Sequence, residues 1–445
     1  MGGDDDDPHR RSEPLEAGDE IDSTSVGEAD VEQQHVRAVS GYQLERRRAG
    51  GYGIEHNNTG VLREDRRQAV AENRMVVADH HAYHAHVYHE TASREKPSVA
   101  LSLTMRTMGG SVPTMKVLVT GADGMLGSYI CRIALEQGHA VRAFLQPDRS
   151  TGTLEGLPVE SFTGDILDDG RLREGLTGCD AVIHTVASTD VWPSRSALVR
   201  RLNYDAVVGL AAAVRACGLT RFVHIGTANS FGPGSIDAPG TEDSPYTDGR
   251  FGLDYQDSKF AAQEWLLEQH RENGLPVVVI NPSFMFGAYD SKPGSGQMIL
   301  AICQGRTPGY PRGGKSYAHA RDVAVAAVNA LTRGTPGRCY LAGGENLSYR
   351  DAFSVIAEVA GVKPPRLPLP SVLTIAAGCA GSLVAAVTRR RPALSLPMAR
   401  LAITDCYYSS ARAITELGMP QTPMREAVAD AIAWFREHGY LEAEQ

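Results

Sequence analysis

The 445-residue chain lacks several features that would have fixed its class at once. Its seven cysteines, Cys131, Cys179, Cys217, Cys303, Cys339, Cys379 and Cys406, contain no C-x-x-C pair, and no histidines stand at zinc-finger spacing. That argues against a disulfide framework or a structural zinc site. A basic-then-apolar leader is missing too, so a reduced, cytoplasmic protein is expected. There is no excess of positive charge: the formal net charge is -9, which removes any general electrostatic reason to bind nucleic acid or anionic surfaces. Small molecules, and possible pairing with a second copy of the chain, remain as partners.

Residues 1–114 have little apolar periodicity. They carry the acidic run Asp4 to Asp7 and the basic cluster Arg46 to Arg48, so this part reads as a disordered extension. Met105, Met108 and Met115 offer alternative starts close to the first strong strand. Within the extension His80, His81, His84, His86 and His89 form a dense tract, but their spacing supplies no fixed ligand set, and no metal is expected there.

From Met115 onward strands alternate with helices, the pattern of an α/β, Rossmann-type doubly wound parallel sheet. The expected strands are Lys116 to Thr120, Ala140 to Leu145, Val159 to Phe162, Ala181 to Val186, Arg221 to Ile225, Val277 to Ile280 and Cys339 to Ala342. A nucleotide-binding domain is expected over 115–281. A smaller, mostly helical substrate lobe is expected over 282–445, interleaved with returning sheet elements. Pro370 to Thr388 is uncharged, rich in Ala and Gly and followed by Arg389-Arg390-Arg391. It reads as a packed helix of that lobe, with membrane contact as the alternative.

After the first strand comes Gly121-Ala122-Asp123-Gly124-Met125-Leu126-Gly127. Gly121 permits a tight strand-to-helix turn, Gly124 lets backbone N–H groups approach a pyrophosphate, and Gly127 lets the helix pack close to the sheet. The second strand ends in Leu145-Gln146-Pro147-Asp148-Arg149. Gln146 is neutral, Arg149 could reach a 2′-phosphate and Asp148 could oppose it, so NAD and NADP both stay open with a lean to NADP. Asp165, with Ile166 beside it, places a carboxylate where an adenine amino group could donate.

The chemistry rests on Tyr255-Gln256-Asp257-Ser258-Lys259. A phenol and an ammonium four residues apart share one helix face. A nearby cation stabilises phenolate and lowers a phenol pKa from about 10. Thr227, just after the strand Arg221 to Ile225, puts a hydroxyl at the carboxyl end of the sheet, within reach of a substrate carbonyl.

Taken together with His184-Thr185-Val186-Ala187, Asn203 with Gly209, and Asn281-Pro282-Ser283, these motifs resemble the extended short-chain dehydrogenase/reductase family over residues 115 to 441. The resemblance implies that Tyr255 is the general acid/base, Lys259 its modulator and ribose ligand, and Thr227 the orienting hydroxyl. It carries Val186, Ala187, Asn203, Pro282 and Phe284 into the cofactor-binding set, Asn203 also as a brace for the active-site helix.

Two substrate classes compete within the resemblance. Nucleotide-sugar epimerases and dehydratases usually place an arginine where this chain has Lys315, a residue that cannot grip phosphate bidentately. The stretch Asn281 to Gly287, the Gly309-Tyr310-Pro311 turn and Trp434-Phe435 instead resemble dihydroflavonol 4-reductase-like and 3β-hydroxysteroid dehydrogenase-like members. Reduction of a ketone or aldehyde on a lipophilic molecule, or oxidation of the alcohol, is therefore expected. Trp192, Asn229, Phe231 and Tyr317, with Phe284, are the candidate pocket walls. A non-catalytic dinucleotide sensor is the remaining alternative, disfavoured because Tyr255 and Lys259 are both present.

Overall fold

Strand β1 (Lys116–Thr120) shows how the main sheet is covered on both sides. Val117 and Val119 point into one apolar cluster and Leu118 into another, and all three are fully buried. A strand that is apolar on both faces belongs in the interior of a parallel sheet. In this computed structural model, residues 114–147 and 151–442 are described. The amino-terminal extension, its histidine tract and Arg149 lie outside the described residues.

Helix α1 (Met125–Glu136) follows β1 and returns the chain to β2 (Ala140–Leu145), parallel to β1 with Val117 beside Val141. Then come β3 (Glu160–Thr163), α2 (Asp169–Leu176) and β4 (Ala181–His184). A short helix α3 (Ala197–Arg200) runs through a π-helical turn into α4 (Ala206–Ala216), and β5 (Arg221–Ile225) follows. Helix α5 (Asp254–Asn273) leads to β6 (Val277–Pro282). The seven-stranded sheet has the order β10-β6-β5-β4-β1-β2-β3, with β10 (Cys339–Ala342) returning from late in the chain to lie parallel to β6. The order reverses direction between β1 and β4, and in such sheets ligands sit in the crevice at that reversal.

The expected strands all form, with shifted ends in three of them: the sixth runs on two residues, to Pro282. The third starts one residue later than expected, and the fourth stops at His184 because Thr185 turns out of the ladder to donate its hydroxyl to the Thr120 carbonyl at 2.7 Å.

The C-terminal region is helical and also carries a small mixed sheet. Strand β7 (Phe284–Phe286) pairs parallel with β9 (Gly314–His319), which is flanked by β11 (Glu345–Ser348) and β13 (Asp405–Cys406). Between them run α6 (Gly296–Cys303), the short β8 (Gly309–Tyr310), α7 (Ala320–Asn329) and α8 (Tyr349–Ala360). The closing helix is Met424–Glu437. A third apolar cluster, with Phe286, Tyr317, Phe353 and Phe435, holds this part together.

One expectation needs correction. The segment 370–388 is a helix, α9 (Ser371–Thr388), but its packing is one narrow stripe. Thr374, Gly378 and Ala385 are buried, and the approach to α10 (Leu396–Ala402) is so close that a Cβ on Gly378 would lie 2.5 Å from the Ala399 side chain. Most of its remaining surface, including Val372 at 77 % and Val387 at 79 % exposure, faces outward.

Candidate active site

The strand-to-helix turn after β1 has the geometry of an anion cradle. Gly121 sits at φ +65°, and a Cβ there would lie 2.6 Å from the Thr185 hydroxyl oxygen. A Cβ on Gly127 would come within 2.1 Å of the Gly121 carbonyl oxygen. Gly124 is the N-cap of α1 and supplies no side-chain cap, so the first N–H groups of the helix stay open to a ligand carrying negative charge. This fits a dinucleotide pyrophosphate: the glycines are required sterically and the donors are unclaimed by a capping side chain.

From that turn a cavity of about 1890 Å³ runs along the carboxyl ends of the strands. Gly121, Asp123, Gly124, Met125, Leu126 and Gly127 line its floor. Gln146, Asp165, Ile166, Val186 and Ala187 line its continuation, and Thr227, Asn229, Tyr255, Lys259, Pro282 and Phe284 its centre. Residues assigned from motifs about 160 positions apart are thus assembled on one surface.

Helix α5 carries the reactive pair on an unusual face. Gln256, Lys259 and Gln263 fall at helical spacing and are buried to 1–2 % exposure. A polar stripe turned toward the sheet costs free energy unless each group is matched. Lys259 donates to the Ile225 carbonyl at 2.6 Å, and Gln256 to the Asp248 carboxylate at 3.0 Å. Gln263 accepts from the Asn281 amide at 2.7 Å, and the same amide donates to the Thr227 carbonyl at 3.0 Å. Gly226 makes room for this, since a Cβ there would sit 2.4 Å from the Asn281 nitrogen. Asn281, Gln263 and Gln256 therefore hold the site, a role the sequence reading did not assign. The available signal was two glutamines at i−3 and i+4 from Lys259.

The electrostatics revise the simple lysine-lowers-tyrosine picture. Burial raises the Tyr255 pKa above its ordinary value, opposed first by a hydrogen bond with Thr227 and then by the charge of Lys315. Burial also pushes Lys259 down to about 7. Lys315, from β9, adds its positive charge to the surroundings of Tyr255. Burial disfavours the charge on Lys315, but Tyr349, Cys406 and Asp248 around it outweigh that and hold its pKa above the lysine range. Its ammonium lies 5.3 Å from the Phe284 ring centroid. Asp248 is itself raised to about 6, chiefly by burial. Below the site, His184 and His224 stack at 5.5 Å, and burial lowers both, His184 to about 3, so they stay neutral near Lys259.

Several expected residues stand elsewhere. Asn203 is fully buried and does not face the cavity: its amide brackets the Ser188 backbone at 2.8 and 3.0 Å and donates to Ser258 at 3.2 Å. It braces α5, as expected, from behind the cavity wall. Phe231 and Tyr317 are core side chains, Tyr317 stacked on Phe286 at 5.7 Å, and Trp192 lies outside the cavity wall. Arg312 and Arg321 are exposed, away from the cavity, and Asp322 accepts from Thr422 and not from Arg321. Lys292 and Arg391 line it instead, Arg391 ion-paired with Asp190 at 3.6 Å.

Residues 117–343 match the NAD dependent epimerase/dehydratase family. The chain belongs to this family. It is 31 % identical over 333 residues to sterol demethylase protein B of Methylococcus capsulatus, covering 74 % of this chain and all of that one. It is 28 % identical to a Synechocystis sp. protein carrying a dihydroflavonol 4-reductase name, covering 73 % of this chain and 96 % of that one. A solved Pseudomonas aeruginosa structure, named a nucleoside-diphosphate-sugar epimerase, superposes with a TM-score of 0.61 at 28 % identity, over 74 % of this chain and 99 % of that one. Further relatives are named as dehydrogenases and reductases. The chain is an oxidoreductase of the extended short-chain type that uses a nicotinamide dinucleotide.

Proposed function

We propose that this enzyme reduces a ketone or aldehyde on a lipophilic small molecule, or oxidises the corresponding alcohol, with Tyr255 as proton donor. The observation that carries the reading is the convergence of Thr227, Tyr255 and Lys259 on one cavity whose wall also includes Leu198, Leu253, Phe284, Met398 and Leu401. A bound nicotinamide dinucleotide supplies or accepts the hydride.

The protein's part is proton handling and orientation. A carbonyl oxygen between the Thr227 hydroxyl and the Tyr255 phenol accepts hydrogen bonds from both, which strengthen as negative charge develops there. Because burial keeps Tyr255 protonated near neutrality, it is poised to donate as the alcohol forms. Lys315 supplies positive charge that stabilises the resulting phenolate. Lys259, held by the Ile225 carbonyl, stands within the cofactor cavity as the ribose ligand.

For the cofactor we favour NADP(H), because Gln146 at the end of β2 brings no carboxylate to repel a 2′-phosphate. A turnover screen of carbonyl compounds with NADH and NADPH tests both proposals. No activity on any apolar ketone or aldehyde would overturn the substrate class.

The nucleotide-sugar reading has one specific support, the P. aeruginosa structural relative. Against it, Arg391 is engaged with Asp190, and Lys315 sits over Phe284 beside Tyr349. Burying two phosphate charges without a guanidinium fork is costly. UDP- and dTDP-sugars are expected neither to bind measurably by calorimetry nor to compete with a lipophilic ketone. Micromolar binding of either sugar would promote the epimerase alternative.

A further inference from the structure

Helix α9 has no charged residue across Ser371–Thr388, and by length and composition alone it is long and apolar enough to cross a membrane. Yet its outward surface carries Val372, Leu373, Leu383, Val384 and Val387, all largely exposed. Leaving that many large apolar side chains in water on one helix is unfavourable, and such faces mark interaction surfaces. Three arginines, 389 to 391, follow at once, with Arg389 and Arg390 exposed. Arg366 and Lys363 stand exposed shortly before the helix.

We infer that α9 docks this enzyme on an anionic lipid bilayer, lying in the plane of the interface. The charge pattern selects the occupant: an apolar face bounded by cations matches acyl chains bounded by anionic headgroups.

Spanning is ruled out by how the helix is tied. At its start, Leu369 donates to the Tyr310 carbonyl at 2.9 Å, and the short strand β12 (Leu367–Pro368) pairs with β8. At its end, Arg391 pairs with Asp190, and the chain passes through α10 back into β13, which pairs with β9. Both ends are fastened to one catalytic body, so they cannot lie on opposite sides of a bilayer. The stripe Thr374, Gly378 and Ala385 is also covered by protein. The remaining face can sink only part-way, about 5–10 Å, into the headgroup and acyl boundary.

The same hairpin reaches the active site. Pro392 and Ala393, just beyond the arginines, and Met398 and Leu401 of α10 line the cavity that Tyr255 lines. The bilayer-facing helix and the cavity wall are thus parts of one continuous segment. A cavity wall that follows directly on the lipid-facing helix suits a substrate that partitions into membranes. That last point rests on the lipophilic-substrate reading, whereas the docking itself does not.

The test is flotation of the full chain with vesicles of phosphatidylcholine alone or mixed with phosphatidylglycerol, read as bound protein with no turnover involved. Binding to the mixed vesicles is expected, weaker by about tenfold on phosphatidylcholine alone. Leu383→Glu with Val387→Glu should lower binding by at least about tenfold, because charge on the apolar face opposes insertion. Melting temperature and turnover of a water-soluble carbonyl compound should stay unchanged. Arg389→Glu with Arg390→Glu should remove the preference for the anionic vesicles. Absence of flotation with either vesicle would overturn the proposal. So would a wild-type dimer that the Leu383/Val387 pair converts to monomer without any lipid binding, since a second copy would then own the face. Because flotation needs no substrate, failure of the docking leaves the reductase reading standing, and failure of the substrate screen leaves the docking standing.

Discussion

Helices α5 and α9 are close in length, 20 and 18 residues, and break the same rule in opposite directions. The first buries glutamines and a lysine against the sheet; the second exposes valines and leucines. Each inversion has a price that folding alone does not repay, and each marks a place where the molecule meets something else. On α5 each side chain of the buried polar stripe has a partner, Lys259 the Ile225 carbonyl, Gln256 Asp248 and Gln263 Asn281, which is the signature of a site built for geometry. On α9 no such matching exists, and the surface is diffuse and apolar, as suits a fluid partner.

The comparison breaks most sharply at Tyr255. Tyr255→Phe removes only the transferable proton and should cut kcat by about 10²–10⁴, while cofactor affinity by fluorescence titration stays nearly constant. Retained turnover would show that Tyr255 is not the proton donor.

Lys259→Met tests whether the stripe costs stability. Burial lowers the lysine pKa to about 7 in the folded chain, below its ordinary value near 10.5. Between those values the unfolded chain binds more protons, so the native protein gains stability as pH rises, and the burial penalty is largest below pH about 7. The variant should lose activity yet melt higher than the native chain near pH 6, with that advantage shrinking toward pH 10. A melting advantage independent of pH would show that the buried charge is not its cause.

Thr227→Val keeps shape and removes the hydroxyl. A loss of about tenfold to a hundredfold in kcat/KM is expected, with the alcohol-oxidation limb displaced to higher pH because a bond that lowers the Tyr255 pKa is gone. Lys315→Met should move that limb the same way by a smaller amount, with reduction near neutrality little altered. Unchanged oxidation limbs in both variants would remove Thr227 and Lys315 from the electrostatics of the phenol.

Much of the site was legible because its signals are local. The glycine turn and the Tyr255–Lys259 spacing depend only on one strand-to-helix junction and one helical turn, and both assemble on the cavity. Lys315 was identified, but only as a missing arginine. Its reach to Tyr255 depends on where β9 lies, which no local pattern encodes. Phe231 and Tyr317 were misplaced because cores and clefts use the same aromatic side chains, and only packing separates them. Asn203 was expected both to brace the active-site helix and to meet the cofactor; its bonds show the brace, and it lies off the cavity wall. An amide that grips backbone and one that grips a ligand look alike in sequence. For α9, composition conveyed the apolar character, but which face α10 would cover depended on the Gly378–Ala399 contact.

The Asn281 amide, shared between Gln263 and the Thr227 carbonyl with Gly226 pressed against it, has a consequence for laboratory evolution. Three segments, β6, α5 and the turn after β5, converge on one nitrogen, so random libraries at 226 or 281 should return almost only the native residues, whatever substrate is used for selection. Met398 and Leu401 both come from α10, and neither contributes to that junction. Variation there can reshape the wall without disturbing the reacting groups, so new substrate ranges should be sought at those two positions before Phe284, which lies under Lys315.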